Sequence, residues 1–155
     1  DAEVSLKWPN DVLVDGKKIC GILCESSLQG DKLDYVVVGI GIDANNEASK
    51  LALEKGAIPP TSIKDVLGKD VDLAALLAYV LLETEKLYQR AAHVGTQPVI
   101  DEWLILSDTI GKMVEVRDGG AAWKGTARRV TPEGALVVDT GKEEKVVTAG
   151  DVRYV

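Results

Sequence analysis

Lys7 stands in the run Leu6-Lys7-Trp8-Pro9-Asn10-Asp11, an apolar stretch that ends in turn residues. Val4, Leu6 and Trp8 alternate with Ser5 and Lys7, the period of a strand with one apolar face. The ammonium of Lys7 therefore leaves on the opposite face. Pro9 cannot donate to a ladder and holds Trp8 extended. A lysine mounted so stiffly is a fixed point charge, suited to a carboxylate or to a phosphoryl oxygen on which negative charge develops. The same pattern fits an edge-strand lysine that deters aggregation. Gly39 and Gly41, two apart in Tyr35–Ile42, share one strand face, and Gly21 is a third strand glycine. Glycine inside a strand marks the close approach of a ligand or of another backbone, so the three make either a flat floor or a tight packing contact. Asp43, Asn45 and Asn46 follow the strand, where polar side chains face a site or cap the next turn. Gly39-x-Gly41 lacks the third glycine of a dinucleotide fingerprint, and there is no phosphate-binding loop of the P-loop type. His93 reads as a helix C-terminal residue that complements the dipole, and no Ser/His/Asp set can be argued.

The elements that must position these groups are legible in outline. Asn10-Asp11 reads as a turn, Val12–Val14 as a short strand, Asp15-Gly16 as a hairpin turn and Lys18–Ser26 as a third strand. Residues 29–34 read as a polar loop, and Tyr35–Ile42 as a buried central strand because it is apolar on both faces. A short helix is expected over Ala48–Lys55, and a second one capped by Thr61 or Ser62 and ended by Gly68. Asp72 caps the clearest helix, with an inner stripe of Leu73, Leu76, Leu77, Val80, Thr84, Leu87 and Tyr88. Thr96 and Pro98 start another that buries Val99, Trp103 and Leu106. From Met113 the texture changes to short strands with tight turns, among them Gly119-Gly120, which suggests a small β-barrel of about five strands. The fold class expected is α+β: a mixed sheet with helices over residues 1–110, then a small barrel over 111–155.

Composition narrows the function. The chain has 155 residues, 46% of them hydrophobic, enough for a packed core. Its net charge is −7, with no concentrated basic face, so nucleic acid is not expected as a partner. No apolar run has the length of a membrane span, so no membrane partner is expected either. Cys20 and Cys24 lie four apart in one strand, roughly 13 Å, too far for a bridge. They read as two buried reduced thiols of a cytoplasmic protein. One histidine and no second cysteine pair give no metal site.

The segment KWPNDVLVDGKKICGILCE, residues 7–25, followed by VVVGIGID and a late β-module, resembles the biotin protein ligases, in order along the whole chain. The resemblance implies a biotin–lipoate ligase core of class II synthetase type, present here in part, and an SH3-like domain over Lys112–Val155. It implies Lys7 as the catalytic lysine, binding the biotin carboxylate and the α-phosphate of ATP, with Trp8, Pro9, Asn10 and Asp11 supporting it. Gly21, Gly39 and Gly41 would floor the biotin and adenylate slot. The reaction implied is ATP-dependent formation of biotinyl-5′-AMP and transfer to a lysine of a biotin carboxyl carrier protein, with biotin and ATP as substrates and Mg²⁺ accompanying the nucleotide. Two departures stand out. The family's Gly-Arg-Gly-Arg-type loop and its N-terminal biotin contacts do not occur in these residues, so the expectation is the C-terminal portion of a ligase, working with a missing N-terminal half. The position that reads adenine is commonly asparagine and here is Asp43, which accepts but cannot donate. Lipoate–protein ligases share the core and the single lysine and are the enzymatic alternative. A non-catalytic module, using its sheet for homodimerisation and its barrel for docking, is the other.

Overall fold

The structure, a computed structural model, describes residues 2–50, 57–118 and 121–155. Its first sheet has four strands in sequence order: β1 (Val4–Lys7), β2 (Asp11–Val14), β3 (Lys17–Gln29) and β4 (Lys32–Ile42). The turn between β2 and β3 behaves as its residues dictate, with Asp15 and Gly16 both at positive φ (49° and 72°). All pairings between these strands are antiparallel, where a mixed sheet was expected; parallel pairing is confined, among the described residues, to isolated bridges Leu6↔Ser107 and Lys18↔Pro60. The expected polar loop at 29–34 is a two-residue turn, Gly30-Asp31, because Gln29 pairs with Lys32 and extends both strands. The turn near Lys7 is also shifted. Trp8–Asn10 form it, with a cis Trp8–Pro9 peptide, and Asp11 already opens β2. Trp8 is thus not an extended strand residue.

The largest correction concerns β4. It is an edge strand, and Tyr35, Val36, Val37, Val38 and Ile40 are all exposed. The expected buried central strand is therefore neither central nor buried: apolarity on both faces calls for cover, but within this chain the cover is sparse. β3 runs 13 residues while β2 pairs only with its first five, so the outer half of the β3–β4 hairpin projects beyond the sheet. Cys24 lies on this projecting part and is exposed, whereas Cys20 beside β2 is buried; both are free thiols.

The helices follow their caps. A 3-10 turn covers Ala48–Lys50, and the remainder of the expected helix to Lys55 lies outside the described residues, as does the Gly119-Gly120 turn. In α1 (Ile63–Leu67) the Ser62 hydroxyl accepts from the Asp65 amide at 3.0 Å, and Gly68 closes the helix in the left-handed region. In α2 (Leu73–Val94) Asp72 accepts from Ala74 and Ala75. Its apolar stripe exists but is not an inner one. Leu73, Leu77, Leu87 and Tyr88 are exposed, and with Val38, Ile40 and Ile42 the first turns of α2 border an open apolar groove. The α3 helix (Gln97–Leu106) tucks Val99 and Trp103 partly in but leaves Leu106 exposed at its end. Arg90 and Glu102 join α2 to α3 by two hydrogen bonds of 2.8 Å, which hold the Glu102 carboxyl below its usual range.

The second sheet comprises β5 (Met113–Asp118), β6 (Ala121–Val130), β7 (Leu136–Asp139), β8 (Glu144–Val147) and β9 (Asp151–Tyr154), in the order β8-β7-β6-β5-β9 and antiparallel throughout. Its pairings leave β8 and β9 as edges, so among the described residues no closed ring of strands is formed. Val114, Val116, Ala127, Leu136, Val138, Val147 and Val152 form a buried core, and Trp8 from far upstream completes it. Gly125 permits the close approach of β6 and β7: a β-carbon there would lie 2.5 Å from the Asp139 carbonyl oxygen.

Candidate functional site around Lys7

Strand register brings the candidate residues together. Lys7 pairs with Asp11, Asp11 with Gly21, and Gly21 with Gly41, so one residue from each strand forms a row across the sheet. Partners directly opposite project to the same face, and three strand gaps make the row roughly 14 Å long. Gly39 lies on the same face one step along, opposite Leu23.

Lys7 occupies one end and is buried, with 7% of its surface exposed. Its Nζ lies 3.5 Å from Asp11 Oδ2, at the outer limit of a hydrogen bond, and 5.8 Å from the centre of the Tyr154 ring, at the outer limit of a cation–π contact. Both contacts are loose for an ammonium held out of water. A cavity of about 220 Å³ opens beside it, bordered by Lys7, Asp11, Lys18, Val152, Arg153 and Tyr154. One positive charge with slack contacts at a cavity wall is arranged to receive an anion.

The supporting residues each have a definable task. The Trp8 amide donates to Thr109 Oγ1 and its indole Nε1 to the Gly134 carbonyl, both at 2.9 Å. Lys7 is thus adjacent to a residue fastened into the second sheet. Asn10 grips β3 twice: its side-chain amide donates to the Ile22 carbonyl at 2.7 Å, and its carbonyl accepts from the Ile22 amide at 2.9 Å. Pro9 forms the cis bend between them. At Gly39 and Gly41 an added β-carbon would touch only strand carbonyls at 3.7 Å, so their face is open. Gly21 differs, because the Lys18 ammonium already fills the space above it, at 3.2 Å from where a β-carbon would sit.

Asp43 follows β4 and does not border this cavity; its carboxylate accepts from Asn46 at 2.8 Å. The Asn45 amide is spent on the backbone of Val71, donating to its carbonyl and accepting from its amide, each at 2.9 Å. Sequence reasoning missed Lys18 and Tyr154. The Lys17-Lys18 pair after the Asp15-Gly16 turn was a visible signal for the first. None existed for Tyr154, which reaches the site from the far end of the chain. Burial chiefly pushes its phenol above the usual range, and the Thr109 hydroxyl nearby opposes this, so it faces Lys7 uncharged. Lys112 stacks on the same ring at 4.4 Å but is paired with Asp108.

Comparison with known proteins bears on the family of the chain. Residues 1–43 match the Biotin/lipoate A/B protein ligase family, and residues 109–153 match the Biotin protein ligase C terminal domain. A biotin–[acetyl-CoA-carboxylase] ligase of Paracoccus denitrificans is 32% identical over 99% of this chain and 64% of its own length. The bifunctional ligase/repressor BirA of Bacillus subtilis is 31% identical over 97% of this chain and 46% of its own. The chain therefore spans between about half and two thirds of these relatives. Biotin protein ligase from Aquifex aeolicus, solved in complex with biotin and ATP, superposes on 98% of this chain and 62% of its own with a TM-score of 0.78 and 25% identity. The chain belongs to the biotin protein ligase family and matches the C-terminal part of its members.

Proposed function

We propose that this chain carries the Lys7 part of a site that activates biotin with ATP and transfers it to a lysine of a biotin carboxyl carrier protein. The observation that carries the proposal is the buried, loosely paired Lys7 at the wall of a cavity. In the first step a biotin carboxylate oxygen attacks the α-phosphorus of ATP, pyrophosphate leaves, and biotinyl-5′-AMP forms. Both reactants are anions, so the work of the protein is to hold them together and offset their charge. In that role Lys7, at the cavity end of the row, would touch the carboxylate and the α-phosphoryl oxygen. In the second step the acceptor amine attacks the acyl carbon and AMP leaves, with Lys7 offsetting the charge on the departing phosphate. Mg²⁺ enters with the nucleotide phosphates. The open face over Gly39 and Gly41 suits a flat ligand, and Gly21 serves it indirectly by making room for Lys18; Asp43, just past the glycine end of the row, would accept from the adenine amine where the family commonly has asparagine.

The unit boundary falls near residue 110, where the second sheet begins, and its five short strands support an SH3-like module over 111–155 that docks the carrier. The uncovered apolar faces of β4 and α2 support the reading that the rest of a ligase packs there. Two free thiols support a cytoplasmic setting. Among the described residues no helix is long and apolar enough to cross a membrane.

The test is biotin- and ATP-dependent pyrophosphate release by the chain supplemented with the N-terminal half of a biotin protein ligase. Lys7→Ala should slow release at least ~100-fold with an unchanged circular dichroism spectrum. A rate within threefold of the unsubstituted chain would remove Lys7 from the chemistry. No release by a folded wild-type mixture would favour the non-catalytic docking module instead.

A further inference from the structure

Lys18 is held more firmly than a surface lysine requires. Its amide donates to the Pro59 carbonyl and its carbonyl accepts from the Thr61 amide, both at 2.8 Å, so residues 59–61 clamp its backbone. Its side chain crosses over Gly21, where an added β-carbon would sit 3.2 Å from Nζ and crowd it. At the end of that path Nζ meets Asp11 Oδ1 at 2.5 Å, while the other oxygen of Asp11 stands 3.5 Å from Lys7. One carboxylate is thus shared unequally between two lysines, and the short contact goes to the outer one. The side chains of Lys7 and Asp11 are only 8% and 12% exposed, so their attraction is weakly screened. The Lys18 side chain, at 40%, is partly in water.

We propose that Lys18 is a positioning residue that sets the charge Lys7 presents. By holding Asp11, it stops that carboxylate from closing on Lys7 and leaves the inner ammonium for an incoming carboxylate or phosphate. The three side chains together carry one net positive charge, and the geometry puts the uncompensated part at Lys7, on the cavity wall. Without Lys18, Asp11 has one cation left to pair with in this row, and an arriving anion must first displace it. Gly21 gains a reason of its own, since a side chain there crowds the path of Lys18. This inference rests on Lys7 being the anion-binding lysine.

Binding of inorganic pyrophosphate to the 155-residue chain, by titration calorimetry at low ionic strength, tests it. Lys18→Met should weaken binding about tenfold, the equivalent of about 1.4 kcal/mol. Lys18→Arg, which keeps a cation on Asp11, should stay within about threefold. Lys17→Met removes the same charge from the exposed neighbour and should change affinity less than about twofold. The decisive variant is Lys18→Met/Asp11→Asn: with the competing carboxylate gone, affinity should return to within about threefold of wild type. A Lys18→Met affinity equal to that of Lys17→Met overturns the proposal. So does a double variant no better than Lys18→Met, or an absence of saturable binding by wild type. Lys7→Met separates the two readings. If it weakens binding while Lys18→Met does not, only the role of Lys18 falls. If Lys7→Met binds as wild type does, the assignment of Lys7 itself falls. Urea midpoints check that each variant is folded, and Lys18→Gln replaces Lys18→Met if the latter is not.

Discussion

Trp8 fastens the Lys7 strand to the second sheet, and Trp8→Phe measures that fastening. The indole is 4% exposed and sits among Val114, Val116, Leu136 and Val152. Phenylalanine keeps the ring in this core but loses the Nε1 donor, leaving the Gly134 carbonyl without it. A net hydrogen bond is worth about 1 kcal/mol, and the smaller ring leaves a void costing about another 1 kcal/mol. The expected loss is therefore about 2 kcal/mol. Trp8→Ala removes roughly 150 Å² of buried surface in addition, which at ~25 cal/mol/Å² raises the loss to about 6 kcal/mol; residual burial in the unfolded chain brings that to about 5. Urea unfolding of the 155-residue chain followed by circular dichroism is the assay. With a slope of about 1.5 kcal/mol/M, Trp8→Phe should lower the midpoint by about 1.3 M. Thr109→Val removes the acceptor of the Trp8 amide and should cost a further ~1–2 kcal/mol. A Trp8→Phe loss below about 0.5 kcal/mol, within the range of neutral surface changes, would refute the idea that the indole joins the two sheets.

Other expectations follow from single contacts. Gly125→Ala forces a β-carbon against the Asp139 carbonyl and Val138 Cγ1, so β6 and β7 must part, and urea unfolding should show a loss of about 2–3 kcal/mol. Asn45→Ala strands both backbone groups of Val71 and should cost about 2 kcal/mol, with hydrogen exchange at the Val71 amide accelerated while that at Val137 is not. Arg128 and Arg129 hold the Asp139 and Glu144 carboxyls below their usual range through hydrogen bonds. A lowered folded pKa contributes stability that is present above the unfolded value and lost as pH falls through the folded one. The urea midpoint should therefore drop below about pH 4.5, and less steeply in Arg129→Met, with the two proteins converging once both carboxyls are protonated.

Local signals in the sequence reached a long way. Period-2 alternation and the Asp15-Gly16 turn located the first strands, and Ser62, Gly68 and Asp72 capped the helices they were expected to cap, because those effects act within a few residues. The run KWPND-x(6)-K-x-x-GIL pointed to the family and singled out Lys7 as the candidate site lysine. What local pattern could not supply was cover. The apolarity of β4 and of the α2 stripe says that a layer belongs on each, but not whether this chain provides it, and here it does so only in part. Nor could it supply register. That Lys7, Asp11, Gly21 and Gly41 form one row depends on strand pairing, and that Lys18 rather than a ligand stands over Gly21 depends on where a side chain lands after its backbone is clamped. Tyr154 and Thr109 reach the site from the far end of the chain through pairings that leave no trace in neighbouring residues. Residue types and short spacings thus determined that this protein has a rigid lysine suited to anions; only the tertiary structure decided which charges surround that lysine, since electrostatics depends on distances that sequence separation does not encode.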